Sequence, residues 1–570
     1  MSDKKWIKAQ KAPKKIIERF PEYSNVTLQL LYNRGLQTEE KIDKFLNPDY
    51  ERDLYDPFLM QDMKKAIDRI KKAITRKEKI VIYGDYDVDG VTAVAILFKT
   101  LKILKAHKLD YYIPDRGKEG YGLNKESISE LIKSKTDLII TVDCGISNQE
   151  EVDLANKSGI DVIITDHHLV LANLPKAFAI INPHKKNERY PFIELSGAGV
   201  AYKLAQGLLK NNDNSNESFL KWMMDLVALG TVADSVPLID ENRTLVKYGM
   251  VIINENRRLG LNELIKEAGL ALGKIKSENI AYIIVPHLNA AGRMQDARIG
   301  VELLTSKDKN KITSEVGILI EKNRERRKVQ EETLVKCKEI IKLTHQNDLF
   351  LVIDAKDAHE GIAGIVAGKI KDEYGKPTIL VTASGGEEYL KGTGRSIDGV
   401  NLYDILKSHK ELFVKFGGHS GACGFLMKTD KLAELRSCLN KEVEKIYQNN
   451  VDLFNHRLTI DVTILENELD IDLVLGLEKM APFGCQNEKP LFLIKSISAS
   501  GVLYMGDSKQ HARFTGIGDR SKGFSCILFN KAQDYCELFK KGEKVDIAGY
   551  PDISIWNGNS KIQFVLKDIK

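Results

Sequence analysis

The chain has 570 residues, too many for one ordinary hydrophobic core, and such a length favours about three or four domains of roughly 150 residues each. Hydrophobic residues at 43%, charged residues at 29% and only 14 prolines exclude collagen-like, low-complexity and wholly disordered classes. Lys plus Arg exceed Asp plus Glu by 85 to 80, a formal charge of +5 that permits a polyanionic partner without requiring one. The longest apolar run, Val91 to Phe98, falls far short of the roughly 20 residues of a membrane span. The N-terminus, Met1-Ser2-Asp3-Lys4-Lys5-Trp6, leads into a lysine-rich stretch without the apolar segment of a secretory signal, so no membrane association and a cytoplasmic location are expected. Seven scattered cysteines without C-x-x-C spacing read as reduced thiols.

In chain order, strand-length apolar runs alternate with helical stretches from Lys79 to about Asn182, the pattern of a parallel sheet with crossover helices. The predicted strands are Ile80–Tyr83, Tyr111–Ile113, Leu138–Val142, Val162–Thr165 and Ala179–Ile181, with helices over Val91–Leu104 and Ser147–Lys157. Polar Asn211 to Asn216 reads as a surface loop ahead of a helix at Phe219–Val232. From about Lys311 to Leu343 there is no proline and a charge-dense centre, which predicts a long solvated helix joining two domains. A second α/β region follows, with strands near Leu349–Ile353 and Thr378–Val381 and glycine-rich turns at Gly392–Gly394 and Gly417–Gly424. After Asn450 come short strand-like runs at Leu458–Ile464, Leu491–Ile497, Ala512–Thr515, Phe524–Phe529, Val545–Ile547 and Ile562–Leu566, an all-β block that suggests a small barrel.

The chemistry concentrates at predicted strand ends. Gly84-Asp85-Tyr86-Asp87-Val88-Asp89-Gly90 follows the first strand, Asp143 follows the third, and Asp166-His167-His168 follows the fourth. Asp234 follows a helix. Open parallel sheets bind ligands just beyond the carboxyl ends of their strands, so these groups are expected to converge. Two carboxylates about 4 Å apart repel by about 4 kcal/mol at an effective dielectric near 20, and several together demand neutralisation by protons or cations. Mixed carboxylate and imidazole donors suit manganese or magnesium, and this many donors suit two ions. A calcium loop of EF-hand type is excluded, because its closing Glu would fall among apolar helix residues. His107, His184, His345, His409, His456 and His511 stand without such company and read as surface or core residues.

At Asp85-Tyr86-Asp87-Val88-Asp89-Gly90, Asp143, Asp166-His167-His168 and Asp234 the sequence resembles the DHH phosphoesterase family, and within it most closely the RecJ single-stranded-DNA exonucleases. Further segments carry the likeness: Ile113-Pro114-Asp115-Arg116, Glu119-Gly120-Tyr121-Gly122-Leu123, Leu288-Asn289-Ala290-Ala291-Gly292-Arg293, His359 to Ala367, Gly392-Thr393-Gly394-Arg395-Ser396 and Phe416-Gly417-Gly418-His419. The resemblance implies an N-terminal helical extension over 1–60, a DHH catalytic domain over 61–305, a connecting helix over 306–344, a DHH-associated substrate-binding domain over 345–447 and an OB-fold barrel over 448–570. It implies that Asp87, Asp89, Asp143, His167 and Asp234 hold two Mn2+ or Mg2+ ions, with Asp85 and His168 adjacent as metal ligands or transition-state contacts. Arg116, Asn289, Arg293, Gly394, Arg395, Ser396, Gly418 and His419 are then substrate contacts.

The implied activity is 5′-to-3′ hydrolysis of single-stranded DNA to nucleoside 5′-monophosphates, in recombination and repair. The implied context is a monomer that works with a helicase and a single-strand-binding protein. Tyr504, Phe514, Phe524, Tyr550 and Trp556 are candidates for base stacking, with half of them expected in the barrel core. Three departures stand out: His287 where relatives carry arginine, Cys423 in the Gly-Gly-His segment, and a Pro482 to Glu488 turn lacking later Gly and Pro residues.

Overall fold

The computed structural model describes residues 4–170, 173–210, 214–294, 296–384, 386, 388–519, 523–556 and 559–570. They form two compact units: Lys8–Glu321 with Ile460–Lys570, and Lys322–Thr459 with the residues up to Ile7.

In the larger unit, five strands form a parallel sheet in the order Lys108–Tyr112, Lys79–Gly84, Leu138–Val142, Asp161–Thr165, Ala179–Ile181. Helices cover both faces, which is why the inner strands are continuous apolar runs rather than alternating ones. Four of the five expected strands lie within a residue of their predicted bounds. The exception is the edge strand, Lys108–Tyr112 rather than Tyr111–Ile113. Half exposed, it carries polar residues that an apolar run does not include, and its register is set by Lys79 opposite Lys108. The helix expected from Val91 begins at Val88, because Asp87 caps it by accepting the Asp89 and Gly90 amides. Of the polar run at Asn211–Asn216, the first three residues lie outside the described ones, while Asn214–Ala233 is already helical.

The C-terminal strands close on themselves. Phe492–Met505 pairs with both His511–Ile517 and Val545–Trp556, and Phe524–Leu528 and the parallel Asn559–Ile569 complete the ring. The block is not all-β as expected: the helix Ile471–Met480 precedes the barrel and Cys536–Lys541 lies within it. The single strand expected at Leu458–Ile464 is broken at Asp461, whose carboxylate accepts the Leu491 amide and the Asn33 side-chain amide. The N-terminal helices Asn25–Asn33 and Glu39–Leu46 bury Leu28, Leu31, Ile42 and Phe45 in the same core as Phe492, Phe514 and Phe564. The N-terminal extension therefore belongs to the barrel's core although the parallel sheet separates the two in sequence.

The smaller unit holds a sheet ordered Phe413–His419, Ala422–Lys428, Tyr389–Arg395, Thr378–Ser384, Leu351–Asp354. The glycine-rich segment Gly417–Gly424 spans a hairpin that turns at Ser420-Gly421, as expected, whereas Gly392–Gly394, also expected as a turn, lies inside the strand Tyr389–Arg395. There glycine makes room for a neighbour: a Cβ on Gly392 would lie 2.0 Å from the Phe425 ring. The long helix runs Lys309–Thr344, as its composition predicts. Among the described residues no helix is long and apolar enough to cross a membrane.

Candidate metal centre

Sheet register explains why the acids meet. Gly84 lies opposite Val142, and Val142 opposite Thr165, so Asp85, Asp143 and Asp166 leave the sheet side by side at its carboxyl edge. Asp143 adopts φ +60° there, and its amide donates to the Thr165 carbonyl at 3.0 Å. The left-handed backbone turns this side chain back toward the cluster. The last turn of Asn214–Ala233 delivers Asp234 to the same place.

The Asp89 carboxylate accepts the Gly197 amide at 2.6 Å and the Ala198 amide at 2.9 Å, where the helix Gly197–Leu209 begins. It thus satisfies two of the donors that a helix N-terminus leaves unpaired. A Cβ on Gly197 would lie 2.5 Å from Asp143 Oδ1, and one on Gly230 would lie 2.4 Å from Asp89 Oδ1. Only glycine lets both helices approach the acids this closely.

His167 Nε2 stands at the centre, 3.1 Å from Asp143 Oδ1, 3.6 Å from Asp234 Oδ2 and 3.9 Å from Asp89 Oδ2. Burial and the neighbouring His168 push its pKa down to about 3, which keeps the ring neutral and able to offer a donor nitrogen to a metal ion. Asp166 is fully buried and organises the pair. One oxygen accepts the His167 and His168 amides and His168 Nδ1, and the other accepts the Ile146 amide. Burial would lower His168, but the Asp166 hydrogen bond and charge outweigh it and hold the ring up at about 9.

The carboxylates show what crowding does. Burial and the Asp87 charge lift Asp89 to about 7, against the pull of two amides, and burial with Asp89 and Asp87 lifts Asp234 to about 8. Asp85 and Asp143 are raised well above the usual range, again by burial first and by neighbouring acids second. Asp85 Oδ1, Asp143 Oδ1 and His167 Nε2 are buried without a hydrogen bond of acceptable geometry, although the last two are in contact. Three overlapping donor groups, Asp85/Asp87/Asp143, Asp89/His167/Asp234 and Asp143/His167/His168, each have their donor atoms within 4.8 Å of one another. Orphaned donors of this chemistry fit hard divalent cations.

Around this centre the Arg116 guanidinium carbon sits 5.1 Å from the centroid of the Tyr86 ring, beside a cleft of about 270 Å3 that both residues line. Asn289 Oδ1 accepts the Val88 amide at 3.1 Å, so this side chain fastens the helix Val285–Met294 to the Asp87-Val88-Asp89 turn. Arg293, four residues on, acts electrostatically on Tyr86. His287 hydrogen-bonds the Ile283 carbonyl of the preceding turn at 2.7 Å.

The remaining expected contacts gather in the smaller unit. Ala422 lies opposite both Arg395 and His419, and Cys423 lies opposite both Gly394 and Gly418, which brings these four positions together across three strands. Gly418 has φ +139°, open only to glycine. Ser396 is placed differently from the expectation. It is buried, and its hydroxyl donates to the Val400 carbonyl at 2.6 Å, closing the turn after Arg395.

Two residues beside the centre carry roles that the sequence reading does not assign. Asp166 is the positioning group described above. Tyr121 places its hydroxyl 3.0 Å from His168 Nδ1 and 3.3 Å from the Asp143 carbonyl. The Asp89 cap had a legible signal in the small residues Ser196-Gly197-Ala198-Gly199 ahead of an apolar helix. Of the stacking candidates, Phe514 is core, Phe524 packs edge-on against Phe564, Tyr504 is 39% exposed, and the Trp556 side chain lies outside the described ones.

Comparison with known proteins agrees with this geometry. The chain matches the model for the DHH family, N-terminal domain, over residues 79–231, the DHHA1 domain over 347–445 and the RecJ OB domain over 460–568. It is 36% identical over 539 residues to the single-stranded-DNA-specific exonuclease RecJ of Bacillus subtilis (strain 168), covering 95% of this chain and 67% of that one. It is 34% identical to the corresponding protein of Dickeya dadantii (strain 3937), covering 73% and 74%. The fold superposes on the crystal structure of RecJ in complex with Mn2+ from Thermus thermophilus with a TM-score of 0.82 at 25% identity, covering 99% of this chain and 79% of that one.

Proposed function

Because the chain belongs to the family of RecJ single-stranded-DNA-specific exonucleases of the DHH group, we propose that its sheet-edge cluster hydrolyses the phosphodiester bonds of single-stranded DNA from the 5′ end, releasing nucleoside 5′-monophosphates. The observation that carries this reading is that Asp85, Asp87, Asp89, Asp143, His167 and Asp234 fall into overlapping donor groups at one sheet edge, with Asp85, Asp143 and His167 each holding a buried atom without a hydrogen bond.

Those six side chains would hold two divalent cations, Mn2+ or Mg2+, which when bound would neutralise the acids, lower the pKa of water and stabilise charge on the phosphoryl oxygens. The chain's own groups do the rest. His168, kept protonated by Asp166, presents a hydrogen-bond donor to a non-bridging or leaving oxygen. Arg116 forks onto the terminal phosphate, with Arg293 as a second cation. Asn289 holds the Asp87 turn in register. In the smaller unit Arg395 and His419, with the backbone at Gly394 and Gly418, contact phosphates of the strand, and Ser396 shapes that turn. The enzyme acts as a cytoplasmic monomer in recombination and repair, alongside a helicase and a single-strand-binding protein.

The test is incubation of 5′-labelled and 3′-labelled single strands, duplex DNA and short RNA with manganese or magnesium. Mononucleotides released first from the 5′ end of the single strand are expected. Internal cuts, or equal attack on duplex, would overturn the reading.

A further inference from the structure

The barrel is fixed to the catalytic domain by a defined joint. The Leu238 amide, four residues past Asp234, donates to the Cys485 carbonyl at 2.8 Å, and the Ser277 hydroxyl donates to the Phe483 carbonyl at 2.7 Å. Arg243, 2% exposed, lays its guanidinium 3.8 Å from the centroid of the Phe45 ring and donates to the carbonyls of Phe45, Lys479, Met480, Ala481 and Pro482. The Pro482–Glu488 turn, singled out in the sequence for its departures, supplies the Pro482, Phe483 and Cys485 carbonyls to this joint.

The outer side of this joint has its own character. Next to Ser277 the chain forms a π-helical turn, Ile280–Ile284, an element that is rare and often functional. It holds Tyr282 out at 79% exposure, the largest value among the exposed tyrosines of the described residues. Tyr282 and Glu278 lie within electrostatic reach of Tyr550 on the barrel. Lys489 stands 4.1 Å and Lys567 5.6 Å from the centroid of the Tyr550 ring. Lys489 also reaches Glu278 at 3.8 Å, and Lys276 reaches Asp552 at 4.0 Å, so both sides of the joint contribute to one patch. Burial first, and the charges of Lys489 and Lys531 second, hold the Lys567 ammonium below its usual range.

An aromatic ring left in water costs free energy that folding could have recovered, and an exposed tyrosine beside a lysine cluster matches what unpaired bases on a phosphate backbone require. We infer that Tyr282 and Tyr550, with Lys489 and Lys567, form a base-stacking station astride the joint between the catalytic domain and the barrel, and that it grips the unpaired strand away from the scissile bond. The inference rests on the proposed function for the identity of its ligand. It adds a contact from the catalytic domain's π-turn that barrel architecture alone does not provide.

Binding of a fluorescent 20-nucleotide single strand, followed by anisotropy, tests it. Base stacking of about 1–3 kcal/mol per base corresponds to roughly five- to 150-fold in affinity. Tyr282→Ala should weaken binding by at least about fivefold, whereas Tyr282→Phe and Tyr282→Trp retain it, since the ring and not the hydroxyl is used. A strand with a run of abasic sites should bind the wild type more weakly than an intact strand does, and that penalty should shrink in Tyr282→Ala. Wild-type affinity in Tyr282→Ala, or equal loss in Tyr282→Phe, would overturn the station. Failure of the wild type to bind single strands at all would instead overturn the proposed function.

Discussion

Asp89 and Gly197 meet at 2.6 Å, carboxylate oxygen to main-chain amide, so one acid serves both the metal cluster and the start of the helix Gly197–Leu209. Asp143, in contact with the same glycine, forms no such bond through its Oδ1. The two acids should therefore answer differently to neutralisation. Asp143→Asn removes a buried acid whose ionisation the cluster resists and, at a pH high enough to ionise that acid, should raise the melting temperature of the metal-free protein, while abolishing hydrolysis and leaving strand binding measurable. Asp89→Ala removes a cap worth about 1 kcal/mol and should lower it. Thermal melts in a chelator distinguish them, and equal shifts for the two variants would refute the distinction.

The raised acids also set a pH dependence. Asp89 near 7, Asp234 near 8 and His168 near 9 all have folded values above their unfolded ones. A group of this kind contributes stability that is complete below its unfolded pKa and is lost as pH rises through the folded value. His167 is shifted the other way, but its contribution is complete above about 6.5. Between about pH 6.5 and 9 the metal-free protein should therefore lose stability, and manganese should restore it with release of protons. Calorimetry in buffers of different ionisation enthalpy measures that release; a buffer-independent enthalpy at pH 7 would count against it.

Gly197→Ala places a methyl 2.5 Å from Asp143 Oδ1 in a region where the helix backbone cannot retreat without losing the Asp89 cap. Turnover should fall at least about 100-fold, as expected for displacement of a catalytic group by an ångström. Circular dichroism should remain that of the wild type. Retention of full activity would show that the cluster tolerates displacement.

Arg243 and the barrel joint give a stability prediction. Arg243→Met leaves buried carbonyls at Phe45 and at 479–482 without their donor, and the loss should be about 3 kcal/mol. Arg243→Lys, with fewer donors and no planar face for Phe45, should recover only part of it. Denaturant titration reads the order wild type, Lys, Met; a Met variant as stable as the wild type would mean the carbonyls find other partners.

Much of this site was legible in the sequence because its signals are local. A buried parallel strand is a continuous apolar run, and the residue after it stands at the ligand edge, so Asp85, Asp143 and Asp166-His167-His168 could be placed from the chain alone. What escaped depends on partners distant in the chain. Gly392 and Gly394 read as turn residues because their reason for being glycine, the Phe425 ring and the Leu402 side chain, lies elsewhere in the sequence. The Phe45–Arg243 contact joins positions 198 residues apart, and no periodicity announces that an N-terminal helix shares the barrel's core. Ser396 looked like a phosphate ligand from its motif, and only the Val400 carbonyl reveals where its hydroxyl goes.

Anomalous diffraction from crystals soaked in manganese tests the metal centre most directly. Two peaks among Asp85, Asp87, Asp89, Asp143, His167 and Asp234 are expected in the wild type, with occupancy lost in Asp143→Ala. Ordered side chains with no anomalous density between them, or manganese bound only elsewhere on the molecule, would contradict it.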